Sequence, residues 1–350
     1  MIPTDFQFPD LNEVFTTPPV KPKRPLLTRI GTSHDFLLQL DNTTSSIMHT
    51  CPRASKYYTI ERRQKPDRAP LIFGGAIHAG LEVVHKFGYE QEAAGVQALL
   101  NYFEQNPYNT AGQWRTPSYA VEAFRKYCSY WSLMDNLTPI GPDWVEKAFA
   151  LNIGSFDIND TLPFTYSEIT DEDSDEPVYI ATLHVQWTGK IDIGAHNGDR
   201  NIWVVDHKTS SMGGPSFFAD FQLAQQTHGY MWAMQEILGH PISGFILNAL
   251  IIRQPTRTGK GIEFDRKTYE YSQESIVEWK QDMLHSVEAY VHALCNDAFP
   301  KYTSWCMGKY GACQYHDICT LPAAQRRFML YSDYFANVTW SPLHGSEDEK

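Results

Sequence analysis

The sequence predicts an α/β or α+β chain built on a mixed central sheet, on three observations. "GKIDIGAHNGDRNIWVVDHKTSS" (189–211) reads as two short apolar strands around an Asn-Gly turn. Upstream, Ile77, Leu81 and Val84 fall at i, i+4 and i+7, the apolar stripe of a helix. Downstream, helix and strand patterns alternate again, so helices are expected to cover a sheet.

Residues 1–44 read as an irregular N-terminal arm; its first 27 or so residues contain "TTPPVKPKRP" and either pack on the body through Phe6, Phe8 and Phe15 or form a disordered tail. A helix start is expected at Ser45 or Ser46, followed by a basic stretch, 53–68. "PLIFGGAIHAGLEVVHKFG" (70–88) is a helix, and 91–135 is helical around a turn-like "NPYNTAGQ". "DWVEKAFALNIG" (143–154) reads as a strand and "TDEDSDEP" (170–177) as a solvated acidic loop. A helix over about 217–238 precedes two strands, "SGFILNALIIRQP" (243–255) and "FDRKTYEYS", and a helix over 273–295. The organisation is thus the arm, a core over 45–300 with a helical insertion at about 89–140, a cysteine-rich segment at 301–322, and a tail at 323–350.

The composition is globular: 42% of the 350 residues are hydrophobic and 20% are charged. A net charge of -12 argues against a nonspecific nucleic-acid binder unless basic residues cluster locally. No apolar stretch approaches the roughly 20 residues of a membrane span, and "MIPTDFQFPDLNEV" is not a secretory signal. A cytoplasmic, reducing setting is therefore expected, in which the six cysteines are thiols or metal ligands rather than disulfides.

The chemistry concentrates in the hairpin. Asp206 and Lys208 stand at i and i+2 of a strand, so both side chains leave one face. Asp192 comes from the preceding strand. Two buried carboxylates repel unless a cation compensates, and Mg²⁺ or Mn²⁺ does so through oxygen ligands. A strict two-residue loop at Asn197-Gly198 would set Asp192 opposite Trp203 and send Asp206 to the other face. The cluster therefore requires a three- or five-residue loop, or a bulge. A surface hairpin with a Lys–Asp pair is the competing reading.

These residues, "GKID…VVDHKT", resemble the core of the PD-(D/E)XK nuclease superfamily, specifically its RecB-like exonuclease branch. "FGGAIHAGLE" (73–82), "QLAQQTHGY" (222–230) and "SSIMHTCPRASKYY" (45–58) resemble its accompanying motifs in the expected order, together covering about 45–320. The resemblance implies a restriction-endonuclease-like core. It also implies Mg²⁺ or Mn²⁺ held by His78, Asp192, Asp206 and the carbonyl of His207, with Lys208 serving the nucleophilic water and Gln226 and Tyr230 positioning groups. Gln222, Gln226 and Tyr230 are expected on one helix face. Glu82 is a candidate supporting acid, and Glu146 in "WVEKAF" receives a weaker role. Position 207 departs from the pattern, with His where Tyr or Phe is common.

Cys306, Cys313 and Cys319 lie within 14 residues, and Cys51 is the candidate fourth ligand. The ligand set alone suits zinc or iron–sulfur. One cysteine before the core and three after it resembles the iron–sulfur members of the branch and implies a structural [4Fe–4S] cluster, with Zn²⁺ as the alternative. "CQYHDIC" has Gln314 where that element carries proline. Cys128 and Cys295 read as buried thiols in helices.

The expected activity is metal-dependent hydrolysis of DNA, as an exonuclease on ends or single strands in recombination, repair or phage-type replication. The stretch 53–68 and Arg253, Arg257 and Lys260 are candidate phosphate contacts, and Tyr57 and Tyr58 candidates for stacking on bases. No Walker A pattern occurs, so unwinding would need a helicase or recombination partner. A catalytically inactive nuclease-fold module and an iron–sulfur redox or sensor protein are the alternatives.

Overall fold

The structure, a computed structural model, describes residues 27–31, 35–66, 69–158, 167–169, 181–198, 201–256, 261–308 and 311–337. Phe6, Phe8, Phe15, the acidic loop 170–177, Arg68, Arg257, Lys260 and the acidic end of the tail lie outside these residues. The strands are β1 (Leu27–Ile30), β2 (Phe36–Leu40), β3 (Leu137–Pro139), β4 (Val145–Ile158), β5 (Ser167–Ile169), β6 (Ala181–Asn197), β7 (Ile202–Ser210), β8 (Gly244–Ile252) and β9 (Ile262–Tyr269). The longer helices are α1 (Asn42–Thr50), α2 (Ala69–Phe87), α3 (Glu92–Gln105), α4 (Pro117–Met134), α5 (Pro215–Gln222), α6 (Gln225–Leu238), α7 (Gln273–Cys295) and α8 (Ala323–Leu330). Among the described residues, no helix is long and apolar enough to cross a membrane.

The chain divides into two units interleaved in sequence. One comprises Met1–Pro66, Ala150–Thr188 and Lys280–Lys350, the other Asp67–Phe149 and Gly189–Trp279. In the first unit β2 lies between β1, to which it is antiparallel, and the opening residues of β6, to which it is parallel. The described part of the expected irregular arm is therefore regular structure. Phe36, Leu38 and Leu40 are fully buried and alternate with half-exposed Leu37 and Gln39, the period of a strand with one covered face. The next helix starts earlier than Ser45, at Asn42, because Asp41 caps it. The Asp41 carboxylate accepts the Thr44 N–H at 2.6 Å, and the Thr44 hydroxyl accepts the Asp41 N–H at 2.7 Å.

The second unit carries the sheet order β9-β8-β7-β6. β9 is antiparallel to β8, β8 parallel to β7, and β7 antiparallel to β6, so this sheet is mixed as expected. All nine residues of β8 are buried, as a central strand covered on both faces must be. Asn248, Leu250 and Ile252 lie on the face packed by α2 and α4. Leu250 and Ile252 join an apolar cluster with Phe73, Ile77, Phe124 and Tyr127. Thr116 caps α4 ahead of Pro117, and Gly239 at φ 72° ends α6 in the left-handed conformation that favours glycine.

Helices α2 and α3 approach closely at two glycines. A Cβ on Gly95 would lie 2.5 Å from the Phe124 ring and 3.0 Å from the Gly80 carbonyl. α4 is also tied to β9 by charge: Arg266 forks onto Asp135, at 2.7 and 3.1 Å, and lies over the Trp131 ring. Burial pushes the Asp135 carboxyl up, but the Arg266 guanidinium more than offsets this and holds it below the usual range.

Two outcomes follow from this packing. Gly95→Ala is expected to destabilise the chain by about 1–3 kcal/mol in urea unfolding, the cost of overpacking. Asp135→Asn leaves Arg266 buried without its counter-charge and is expected to cost about 3 kcal/mol near neutral pH. The contribution of a depressed carboxyl is complete above its unfolded pKa of about 3.9 and fades as pH falls through the lower folded value. The difference between wild type and variant should therefore narrow below about pH 4 in urea titrations at stepped pH.

Candidate functional site

All of the acids, the lysine and the imidazole of the candidate site lie in the second unit. The β6–β7 ladder pairs Ile193 with Val205 and His196 with Ile202, leaving residues 197–201 to the connection. This register has the parity that the expected three- or five-residue loop, or a bulge, supplies. Continuing the register by one pair sets Asp192 opposite Asp206, two acids facing each other across neighbouring strands. Gly189 permits the close cover of this region, since a Cβ there would collide with Phe149 and Tyr230.

His207 ties the site together through its main chain. Its N–H donates to Asp192 Oδ2 at 2.7 Å, and its carbonyl accepts His78 Nε2 at 3.0 Å. The carbonyl expected as a metal ligand thus anchors His78 here. That bond puts the proton on Nε2 and leaves the lone pair of His78 Nδ1 facing Asp192 Oδ2, 3.6 Å away. Asp206 receives Lys208 Nζ at 3.1 Å on Oδ1, with the ammonium 2.8 Å from Oδ2, and Gln226 Nε2 at 2.8 Å on Oδ1. Tyr230 is buried beside them.

Glu146 is the residue that sequence reasoning underweighted. Ligand atoms of His78, Glu146 and Asp192 lie within 4.8 Å of one another. Glu146 holds φ 57°, a left-handed conformation that costs a non-glycine residue about 1–3 kcal/mol, and it pairs with Lys190 at 3.0 Å. "WVEKAF" gave a sign of it, because an acid at a strand entry is unusual among so many apolar neighbours.

The electrostatics describe a site short of positive charge. Burial, then Asp206 and Glu146, pushes the Asp192 carboxyl well above the usual range, against Lys208 and the His207 N–H. Burial lowers His78 and keeps it neutral, the form that ligates metal, although Glu146 opposes the shift. Burial would lower Lys190, but Glu146 dominates and raises it. An imidazole lone pair and crowded carboxylates form a donor set that a divalent cation fits.

Other expectations meet the structure differently. The helix expected over 217–238 is two helices. Leu223 (φ -114°) and extended Ala224 break it, so Gln222 ends α5 and does not share a helix face with Gln226 and Tyr230. Glu82 pairs with Lys86 at 2.6 Å. His85 is buried and stacks on the His207 ring. Tyr57 and Tyr58 are buried in an apolar cluster and cannot stack on bases. The basic stretch is largely engaged within its own unit. Arg53 donates to the Phe299 carbonyl, and Lys56 and Lys65 pair with Asp297 and Asp317. Arg63 covers the Tyr331 ring, and Arg62 is buried near Asp41. Arg253 pairs with Glu263 at 2.9 Å.

In the first unit the segments that carry the four expected cysteines lie near one another. Cys51, Cys313 and Cys319 join the apolar cluster around Tyr315 and Ile318. The Cys313 N–H donates to the Cys306 carbonyl at 2.9 Å, and the Tyr302 N–H lies 3.4 Å from Cys51 Sγ. Burial raises the Cys313 and Cys319 thiols. Cys51 and Cys306 raise both further, and Arg53 opposes the rise at Cys319. Cys128 is a buried thiol as expected, and Cys295 is half-buried at the end of α7.

A profile of the PD-(D/E)XK nuclease superfamily matches residues 43–320, most of the chain. A solved structure of a provisionally described exonuclease from Eubacterium rectale is similar over 80% of this chain and 86% of its own, at 10% identity and a TM-score of 0.47. The solved structure of SSO0001 is similar over 79% and 81%, at 12% identity and a TM-score of 0.26. At these values neither structure carries an argument. A comparison with the curated proteins gives no match.

The crowded carboxylates generate one expectation that needs no substrate. Mn²⁺ at about a hundred times its dissociation constant should stabilise the wild-type chain by about 2.7 kcal/mol. The gain in thermal midpoint should be lost when Glu146→Gln and Asp192→Asn are combined.

Proposed function

The chain belongs to the PD-(D/E)XK nuclease superfamily, and we propose that it is a divalent-metal-dependent deoxyribonuclease acting as an exonuclease on DNA ends or single strands. The observation that carries the reading is the meeting of Asp192, Asp206, His78 and Lys208 in one unit, with Asp192 driven up by its neighbours. His78, Asp192, Asp206 and Glu146 are the side chains proposed to hold Mg²⁺ or Mn²⁺, with the His207 carbonyl beside them. The ion supplies Lewis-acid polarisation of the phosphodiester and a lowered pKa for water.

The chain's own groups divide the remaining work. The Lys208 ammonium, held at Asp206, would stabilise negative charge that develops on the phosphoryl oxygens and on the attacking oxygen as its proton leaves to solvent. Gln226 fixes the rotation of the Asp206 carboxylate through its amide. The Nε2–H of His78, anchored on the His207 carbonyl, keeps Nδ1 turned to the acids.

For the second centre we propose a structural [4Fe–4S] cluster on Cys51, Cys306, Cys313 and Cys319, with Zn²⁺ the competing occupant. The Cys313 and Cys319 thiols, raised by burial and by the nearby Cys51 and Cys306, support a metal, because a bound cation compensates the thiolates that ligate it. DNA unwinding would fall to a separate helicase, and recombination or repair is the proposed setting.

End-labelled single- and double-stranded DNA should be degraded only with added Mg²⁺ or Mn²⁺, and Lys208→Ala should lower the rate by about 10² or more at unchanged DNA binding. Equal cleavage by wild type and Lys208→Ala would remove the catalytic reading. Anaerobic purification should yield a brown protein with about four irons per chain, lost in Cys313→Ser. A colourless protein with zinc would decide for the alternative.

A further inference from the structure

Asn248 is an amide in the middle of an otherwise apolar strand, "GFILNALII", and is fully buried. Such a group is tolerated only when its hydrogen bonds are made, and here each goes to a specific partner. The parallel register sets Asn248 beside His207. Its Nδ2 donates to His207 Nδ1 at 2.7 Å and to the Tyr127 hydroxyl at 2.7 Å, and its Oδ1 accepts Arg266 Nε at 3.0 Å. Arg266 is held in turn by Asp135 and Trp131. The His85 ring lies on the His207 ring, with centroids 5.0 Å apart at 18°, and its Nε2 is 3.3 Å from the same Tyr127 hydroxyl. The His207 imidazole is thus fixed by a hydrogen bond in its plane and a ring against its face.

The other side of this residue is the candidate site. The His207 N–H is committed to Asp192 and its carbonyl to His78. A pinned side chain on a strand fixes the peptide planes on either side of it. We propose that Asn248 is a positioning residue, acting through the His207 imidazole to hold the main-chain groups that orient Asp192 and His78 for a divalent cation. Its amide bonds Tyr127, His207 and Arg266 rather than a proposed ligand side chain, so its influence is indirect. This inference rests on the divalent-metal reading above. It adds that the loss of one amide on the neighbouring strand, 41 positions after His207, is felt as metal affinity, the usual consequence of disturbing the groups that orient ligands.

The test is isothermal titration of the metal-free full-length chain with Mn²⁺, with circular dichroism as the check on folding. Asn248→Leu is expected to weaken Mn²⁺ binding about tenfold. His207→Phe keeps a ring against His85 but removes Nδ1, and is expected to give a similar loss; it carries the test if Asn248→Leu does not fold. Because both act through one hydrogen bond, the double variant should bind no more weakly than either single variant. Wild-type affinity in either folded variant, or losses that add in the double, would overturn the inference while leaving the metal reading intact. A wild-type chain whose Mn²⁺ binding is not diminished by Asp192→Asn would overturn both.

Discussion

Everything in the second unit is arranged around the mutual repulsion of Glu146, Asp192 and Asp206. Three carboxylates in a half-dry space are an unfavourable arrangement, and the surroundings answer each one separately. Asp206 has an ammonium and an amide, Asp192 has a peptide N–H, and Glu146 has Lys190. The compensation is incomplete at Asp192, whose carboxyl remains well above its usual range. A strained backbone at Glu146 is maintained in the same place. Local cost is concentrated at one point in a chain otherwise packed by ordinary rules.

Much of this was legible in the sequence because it is local. The i, i+2 placement of Asp206 and Lys208 follows from strand geometry alone, and the parity argument required the register found between Ile193–His196 and Ile202–Val205. The apolar stripe of α2 and the extent of α7 were equally readable, since long periodic segments carry their own signal. What escaped depends on tertiary context. The break at Leu223 interrupts a pattern that stays helix-compatible on both sides, so no residue type announces it. "FLLQL" is too short and too uniformly apolar to separate strand from arm. Tyr57 and Tyr58 resemble base-stacking residues until their burial is known. Asn248 could be recognised as an oddity in an apolar run, but not as the partner of a residue 41 positions away.

The cysteine centre illustrates a different kind of legibility. The family resemblance pointed to Cys51 as a partner of three thiols some 250 residues later, and the first unit brings the two segments together with apolar contacts independent of sulfur. Tyr57 meets Tyr315 edge-on, Tyr315 stacks on Phe335, and Arg63 and Gln64 pair as a short strand with Ala336 and Asn337. The nest is therefore assembled by packing as well as by any ligand it receives. Arg53, Lys56, Arg63 and Lys65 of the neighbouring stretch are engaged in the same assembly, which leaves that run less charge to offer a polyanion.

The interleaving of the two units has a consequence for the order in which the molecule is made. The second unit is complete once residue 279 has left the ribosome, whereas the first still lacks its share from Lys280 onward. Domains tend to fold as their segments emerge during translation. The acid cluster can therefore form while the two early segments of the other unit wait, exposed, for the chain that carries Cys306, Cys313 and Cys319. Nascent chains stalled between these points would hold an assembled acid cluster while Cys51 still lacks its three later neighbours, so the joining of the cysteine segments belongs among the last steps in the making of the chain.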